Sequence, residues 1–150
     1  MTGEGRGERG EGGLRSPLTL EDLLAWQDAR AFSRAVYVAT TTGAIAKDFS
    51  LRDQLRRAAV SVMCNIAEGF GRGGPAEFAR FLDIARGSAV ECHSLLVLMG
   101  DLSLLPTTTL DELFRLLDMT QRKIAGLTRH QRTRQRRTRL SPLSSPLSNE

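Results

Sequence analysis

The sequence predicts an all-α protein: an up-down-up-down antiparallel four-helix bundle with disordered ends. Three observations carry this. Apolar residues recur at steps of three and four in four separate stretches. Short runs of Gly, Pro and Thr separate those stretches. Aromatic residues make up only 5% of the chain, while Leu, Ala and Arg are plentiful, a mixture that favours helices over strands.

In chain order, residues 1–18 hold Gly, Glu and Arg with almost nothing to bury, and are expected to be disordered. Thr19 opens the first helix, with Asp22 at the third position after it in the manner of a capping box. Leu20, Leu23, Leu24, Phe32, Val36 and Ala39 mark its buried side, and Thr40 to Gly43 end it. Ser50 is the next expected cap, with Asp53 three residues on. The second helix then runs to about Phe70, where Gly69, Gly71, Gly73 and Gly74 are expected to break it. Pro75 starts the third, since proline suits a first turn. Its Phe78, Leu82, Ala85, Ala89, Cys92, Leu96 and Met99 alternate in steps of four and three, a sustained heptad. Thr109, with Glu112, is the expected cap of the fourth, whose Leu110, Leu113, Leu117, Thr120, Ile124 and Leu127 repeat the pattern. The bundle is thus expected over residues 19–130. Residues 131–150, Arg-rich and then Ser-Pro-rich, read as a second disordered tail.

Residues 55–74, LRRAAVSVMCNIAEGFGRGG, organise the rest. At helical spacing Leu55, Ala59, Val62, Ile66 and Phe70 form one apolar stripe. Arg57, Ser61, Asn65, Glu68 and Arg72 form a polar one. Val60, Met63 and Ala67 form a second, narrower apolar flank. An ordinary surface helix needs one apolar face, so the second is the expected contact with another copy of the chain.

Charge is unevenly placed. The net is +4, yet residues 16–128 hold twelve basic and thirteen acidic side chains. The surplus sits in Arg129, Arg132, Arg134, Arg136, Arg137 and Arg139. Such a run is either a solubilising tail or a nucleic-acid attachment, in which arginines neutralise phosphates and release counterions. The apolar run at residues 95–99 is far shorter than the ~20 residues a membrane span needs. The N-terminus has no apolar core of the kind a signal peptide carries. A cytoplasmic protein with two free thiols, Cys64 and Cys92, is expected.

Chemistry-bearing patterns are weak. Gly69, Gly71 and Gly74 satisfy G-x-G-x-x-G, but a helix precedes them where a dinucleotide fingerprint needs a strand. Cys92-His93 and the distant His130 lack metal-ligand spacing, so neither a metal nor any other cofactor is expected. Ser61 and Cys64 have no histidine on their helix to serve as base. Asp83 and Arg86 read as a pair on a helix surface. No catalytic residue and no small-molecule substrate is expected.

The runs L-R-R-A-A-V-S and N-I-A-E-G-F-G-R, then F-x-R-F-L-x-I-A-R-G-S from Phe78 to Ser88, resemble one bacterial family. Its members are four-helix bundle proteins first noticed as reading frames within intervening sequences of 23S ribosomal RNA genes. L-x-x-W-Q-x-A at Leu23 to Ala29 matches the first helix, and the resemblance covers residues 20–127. It implies a bundle that often closes as a homopentamer, without established enzymatic activity. It also implies distant kinship to the accessory protein of diversity-generating retroelements, which works with RNA. The resemblance carries to Arg56, Arg57, Asn65, Glu68, Arg72, Arg86 and Glu91. These imply either an interhelical or intersubunit polar network or a shallow site gripping phosphates through Arg57 and Arg72. The chain departs from the family at Met63-Cys64, where Pro-Ser is common, and a more regular second helix follows from that. The expected function is a non-catalytic oligomer that binds RNA or DNA; the alternative is a protein-interaction scaffold.

Overall fold

A computed structural model describes residues 18–141. The Thr19–Asp22 pair is present, but it closes a separate 3-10 turn, Leu20–Asp22, rather than capping the first helix. The Asp22 carboxylate accepts from both the backbone N–H and the hydroxyl of Thr19, at 2.8 and 2.9 Å. Those bonds hold its pKa below the ordinary aspartate value. Helix α1 starts after this turn, Leu24–Ala39. A short α2, Ala44–Lys47, fills the connection that follows and buries Ile45.

Helix α3, Phe49–Arg72, begins one residue after Asp48, whose side chain accepts from the Leu51 N–H at 3.1 Å. Asp48 is therefore the cap, not Ser50. The helix passes through Met63-Cys64 without a break, as the missing proline leads one to expect. It also passes through Gly69 and Gly71; the stop is Gly73, whose φ of 83° is left-handed and suits glycine. Gly69 serves packing. A Cβ there would lie 2.8 Å from Phe81 Cβ and 3.0 Å from Phe78 Cδ1, so its absence lets α3 and the next helix close up.

Pro75 occupies the first turn of α4, Pro75–Asp101, as the sequence predicts. Helix α5, Thr107–Leu140, starts after Pro106, which places Thr109 inside its first turn instead of at its cap. Its other end is the larger correction. The arginine run expected to be disordered is helical to Leu140. Arginine and glutamine are good helix formers, and no Gly or Pro interrupts the chain between Gly126 and Pro142. One residue of this extension is also buried: Gln131 is 3% exposed. The expectations for residues 1–17 and 142–150 lie outside the described residues.

Each long helix packs on two neighbours, in the cyclic order α1, α3, α4, α5. The four stripes meet in one core that includes Phe32, Val36, Leu55, Val62, Ile66, Leu82, Leu96, Leu113, Leu117 and Ile124, each 1% exposed or less. Polar bonds fix neighbours in register. Ser33 Oγ donates to Ala59 O at 3.1 Å, and Lys123 Nζ reaches Asp28 Oδ2 at 2.8 Å. The lengths are unmatched, 16 residues in α1 against 34 in α5. At ~1.5 Å per residue α5 is roughly 50 Å long, so its last turns run beyond the start of α1, along the first turns of α4.

Candidate nucleic-acid interface

The C-terminal third of α5 lies along the first turns of α4 because the chain is antiparallel and α5 is long. Seven residues separate Asp83 from Ala76 on α4, and seven separate Arg132 from Arg139 on α5. The two helices therefore stay abreast over that stretch. Between them lies a groove of about 390 Å³ lined by Arg80, Asp83, Arg132, Arg136 and Arg139. Arg132 Nη2 contacts Asp83 Oδ2 at 2.7 Å. Asp83 thus reaches across to α5 rather than to Arg86 on its own helix. Both side chains are about half exposed, so the pair adds little stability.

The other arginines of the run meet no carboxylate among the described residues. Arg134 Nη1 donates to Gln131 Oε1 at 3.0 Å, on the opposite flank of α5 from the groove. Arg129, Arg136, Arg137 and Arg139 are exposed. Arg80 joins this cluster only through tertiary packing. Its sequence neighbour Glu77, bonded at 3.2 Å and held below the ordinary glutamate pKa by that bond, makes it read as one more surface pair. Arg72 arrives at the same end of the bundle. It pairs with Glu68 at 2.7 Å, and its guanidinium and that of Arg80 lie 5.4 and 4.6 Å from the ring of Phe81.

The residues singled out along α3 and α4 do not gather in one place. Arg57 is exposed and lies fifteen residues from Arg72, about 22 Å along α3, so the two do not grip one phosphate within a protomer. Asn65 Nδ2 donates to Ser61 O at 2.8 Å, and Ser61 Oγ meets Ser88 Oγ at 2.8 Å, which ties α3 to α4. Arg56 turns the other way: it donates to Thr40 Oγ1 at 2.9 Å and lies 4.6 Å over the Tyr37 ring. Arg86 and Glu91 are exposed on α4. Met63 packs against the protomer's own core, while Val60 and Ala67 are half-buried and outside that cluster.

The two thiols are free. Burial, with a smaller contribution from the charge of Glu91, pushes the Cys92 thiol up to about 12. It is a core side chain and not a nucleophile. Among the described residues no three His, Cys, Asp or Glu side chains come together as metal ligands do, and no helix is long and apolar enough to cross a membrane.

A larger feature gave no sequence signal beyond Val38, an apolar residue off the core stripe of α1. An open cleft of about 1300 Å³ lies between α1 and the start of α5. Ala35, Val38, Leu104 and Leu105 line it, with Arg30 and Arg34 on the α1 side.

Comparison with curated proteins gives no significant match. A solved structure from Bacteroides thetaiotaomicron, described as a protein of unknown function from the S23 ribosomal protein family, superposes with a TM-score of 0.65. It is 19% identical over 71% of this chain and 96% of that one, which shows a shared fold. The family profile described as 23S rRNA-intervening sequence protein matches residues 21–126 and stops short of Arg129. That match spans all four long helices and leaves the basic end of α5 as an extension of its own; by it, the chain belongs to the 23S rRNA-intervening sequence protein family.

Proposed function

We propose that this chain is a non-catalytic, homo-oligomeric accessory protein of the cytoplasm that binds RNA through the basic end of α5. One observation carries the reading. Six arginines stand within eleven residues of a single ordered helix, and only Arg132 has a carboxylate partner among the described residues. A fixed array of unneutralised guanidiniums binds phosphates by releasing counterions, without reading sequence. Homo-oligomerisation multiplies the array. In a pentamer, the number the family resemblance implies, five copies act at high effective concentration.

The test compares the full chain with a variant in which all six arginines are glutamine, a change that keeps helix propensity. Both are freed of bound nucleic acid by nuclease before binding is measured over a range of salt. The expected result is weaker RNA binding and a flatter salt dependence in the variant. Equal binding by the two proteins overturns the reading. The cleft between α1 and α5 supports a second reading, a scaffold for another protein, which gains if the full chain retains no RNA at low salt.

A further inference from the structure

We propose that the basic end of α5 straddles a double-stranded nucleic acid and holds one backbone on each flank. This rests on the nucleic-acid reading above and names the class of ligand. The arginines fall into two ranks. Arg132, Arg136 and Arg139 line the groove against α4, where Arg80 joins them. Arg134 lines a separate depression with His130, Leu18 and Leu23, and Arg137 stands three residues on, at the same side of the helix. At 3.6 residues per turn the two ranks are roughly 160° apart around α5. A helix with its side chains is ~10–12 Å across; the two backbones that flank a B-form major groove stand ~12 Å apart, and in A-form RNA it is the wide, shallow minor groove that presents two backbones to such a helix. One strand alone engages one rank.

The choice of duplex over single strand also follows from what the basic end lacks. Proteins that hold single strands stack bases on exposed aromatic rings. Residues 126–141 contain no Phe, Tyr or Trp. The rings at this end are engaged within the bundle: Phe81 is 9% exposed against two guanidiniums, half-buried Phe70 meets the buried Phe78 edge-on at 6.2 Å, and half-buried Trp26 packs on the core with Arg30 over its ring. The exposed rings, Tyr37 and Phe49, are at the opposite end of the bundle, each under an arginine of its own. The amides of the segment are poorly placed for base reading: Gln131 is buried with its Oε1 taken by Arg134, and Gln135 is half-buried in the groove against α4.

The experiment uses the full-length protein with a 20-base-pair RNA duplex, the DNA duplex of the same sequence, and each RNA strand alone. Fluorescence anisotropy reads the affinity. A duplex, RNA or DNA, is expected to bind at least about tenfold tighter than either strand at low salt. Two variants, Arg132→Gln with Arg136→Gln and Arg139→Gln, and Arg134→Gln with Arg137→Gln, are each expected to weaken duplex binding. Each should also reduce its salt slope by about one unit per arginine removed. Circular dichroism confirms that both variants keep their helix content. Strands that bind as tightly as duplexes overturn the proposal and leave RNA binding standing. So does wild-type duplex affinity in either variant. If no probe binds, the nucleic-acid reading itself falls.

Discussion

Two glycines two residues apart show how much a residue's surroundings decide. Gly69 and Gly71 both sit inside α3, where glycine costs up to about 1 kcal/mol relative to alanine. At Gly71 nothing lies within 4 Å of a Cβ, so Gly71→Ala is expected to raise stability by about 0.5–1 kcal/mol. At Gly69 the new Cβ meets the Phe81 Cβ and the Phe78 backbone, which do not yield cheaply. Gly69→Ala is expected to lower stability by about 1–3 kcal/mol despite its better propensity, as urea denaturation of both variants will measure. The sequence could not separate these residues, because clustered glycines signal a helix end and the close approach of α4 is a tertiary fact. The cysteines divide in the same way. Cys64 is exposed, whereas Cys92 is buried with its thiol pushed up to about 12. Iodoacetamide at pH 8 is expected to alkylate Cys64 and to spare Cys92 until the protein is denatured, which mass spectrometry of the peptides resolves. Rapid labelling of Cys92 in the native protein would show that the core opens there.

At the scale of the element, the lesson lies in α5. Its first six turns were legible in Leu110, Leu113, Leu117, Thr120, Ile124 and Leu127, because apolar periodicity reports the face that a helix buries. Beyond Leu127 that signal fades while the helix continues. Charge density argued for disorder, but backbone hydrogen bonding depends on propensity and on the absence of Gly and Pro. The caps slipped for a related reason. Asp48, Ser50 and Asp53 are all competent types, and residue type alone does not show that it is the Asp48 carboxylate that accepts from the Leu51 N–H. The same long element explains why Asp83 meets Arg132, 49 residues away, and not Arg86. That contact yields a prediction of opposite sign for stability and binding. Asp83→Asn removes an exposed ion pair, expected to cost less than ~1 kcal/mol, and removes the carboxylate from the basic groove. RNA affinity is therefore expected to rise while the thermal midpoint hardly moves. Weaker binding by Asp83→Asn would mean that Asp83 positions Arg132 for the ligand.

For the whole molecule, the cyclic packing of four helices was readable because each stripe requires cover and the short connections leave antiparallel neighbours as the simplest arrangement. How copies associate is a separate question, and α3 poses it through Val60, Met63 and Ala67. The structure splits that flank. Met63 already packs on its own protomer's core, whereas Val60 and Ala67 stand half-buried outside it. Val60 and Ala67 lie seven residues apart, two helical turns along one side of α3, as contact residues of paired helices do. If this side is the subunit contact, a charge there breaks assembly without touching the core. Val60→Glu with Ala67→Glu is expected to give a folded protomer of lower mass, while Met63→Ala is expected to keep the assembly and lose about 1–2 kcal/mol of stability, since Met63 is only partly buried against the core. Light scattering on nuclease-treated protein separates the two outcomes. The first variant should also bind RNA more weakly than the wild type although all six terminal arginines remain, because one array replaces several. A wild-type chain that scatters as a single protomer would remove both expectations together, and the arginines of α5 would then have to hold their ligand one copy at a time.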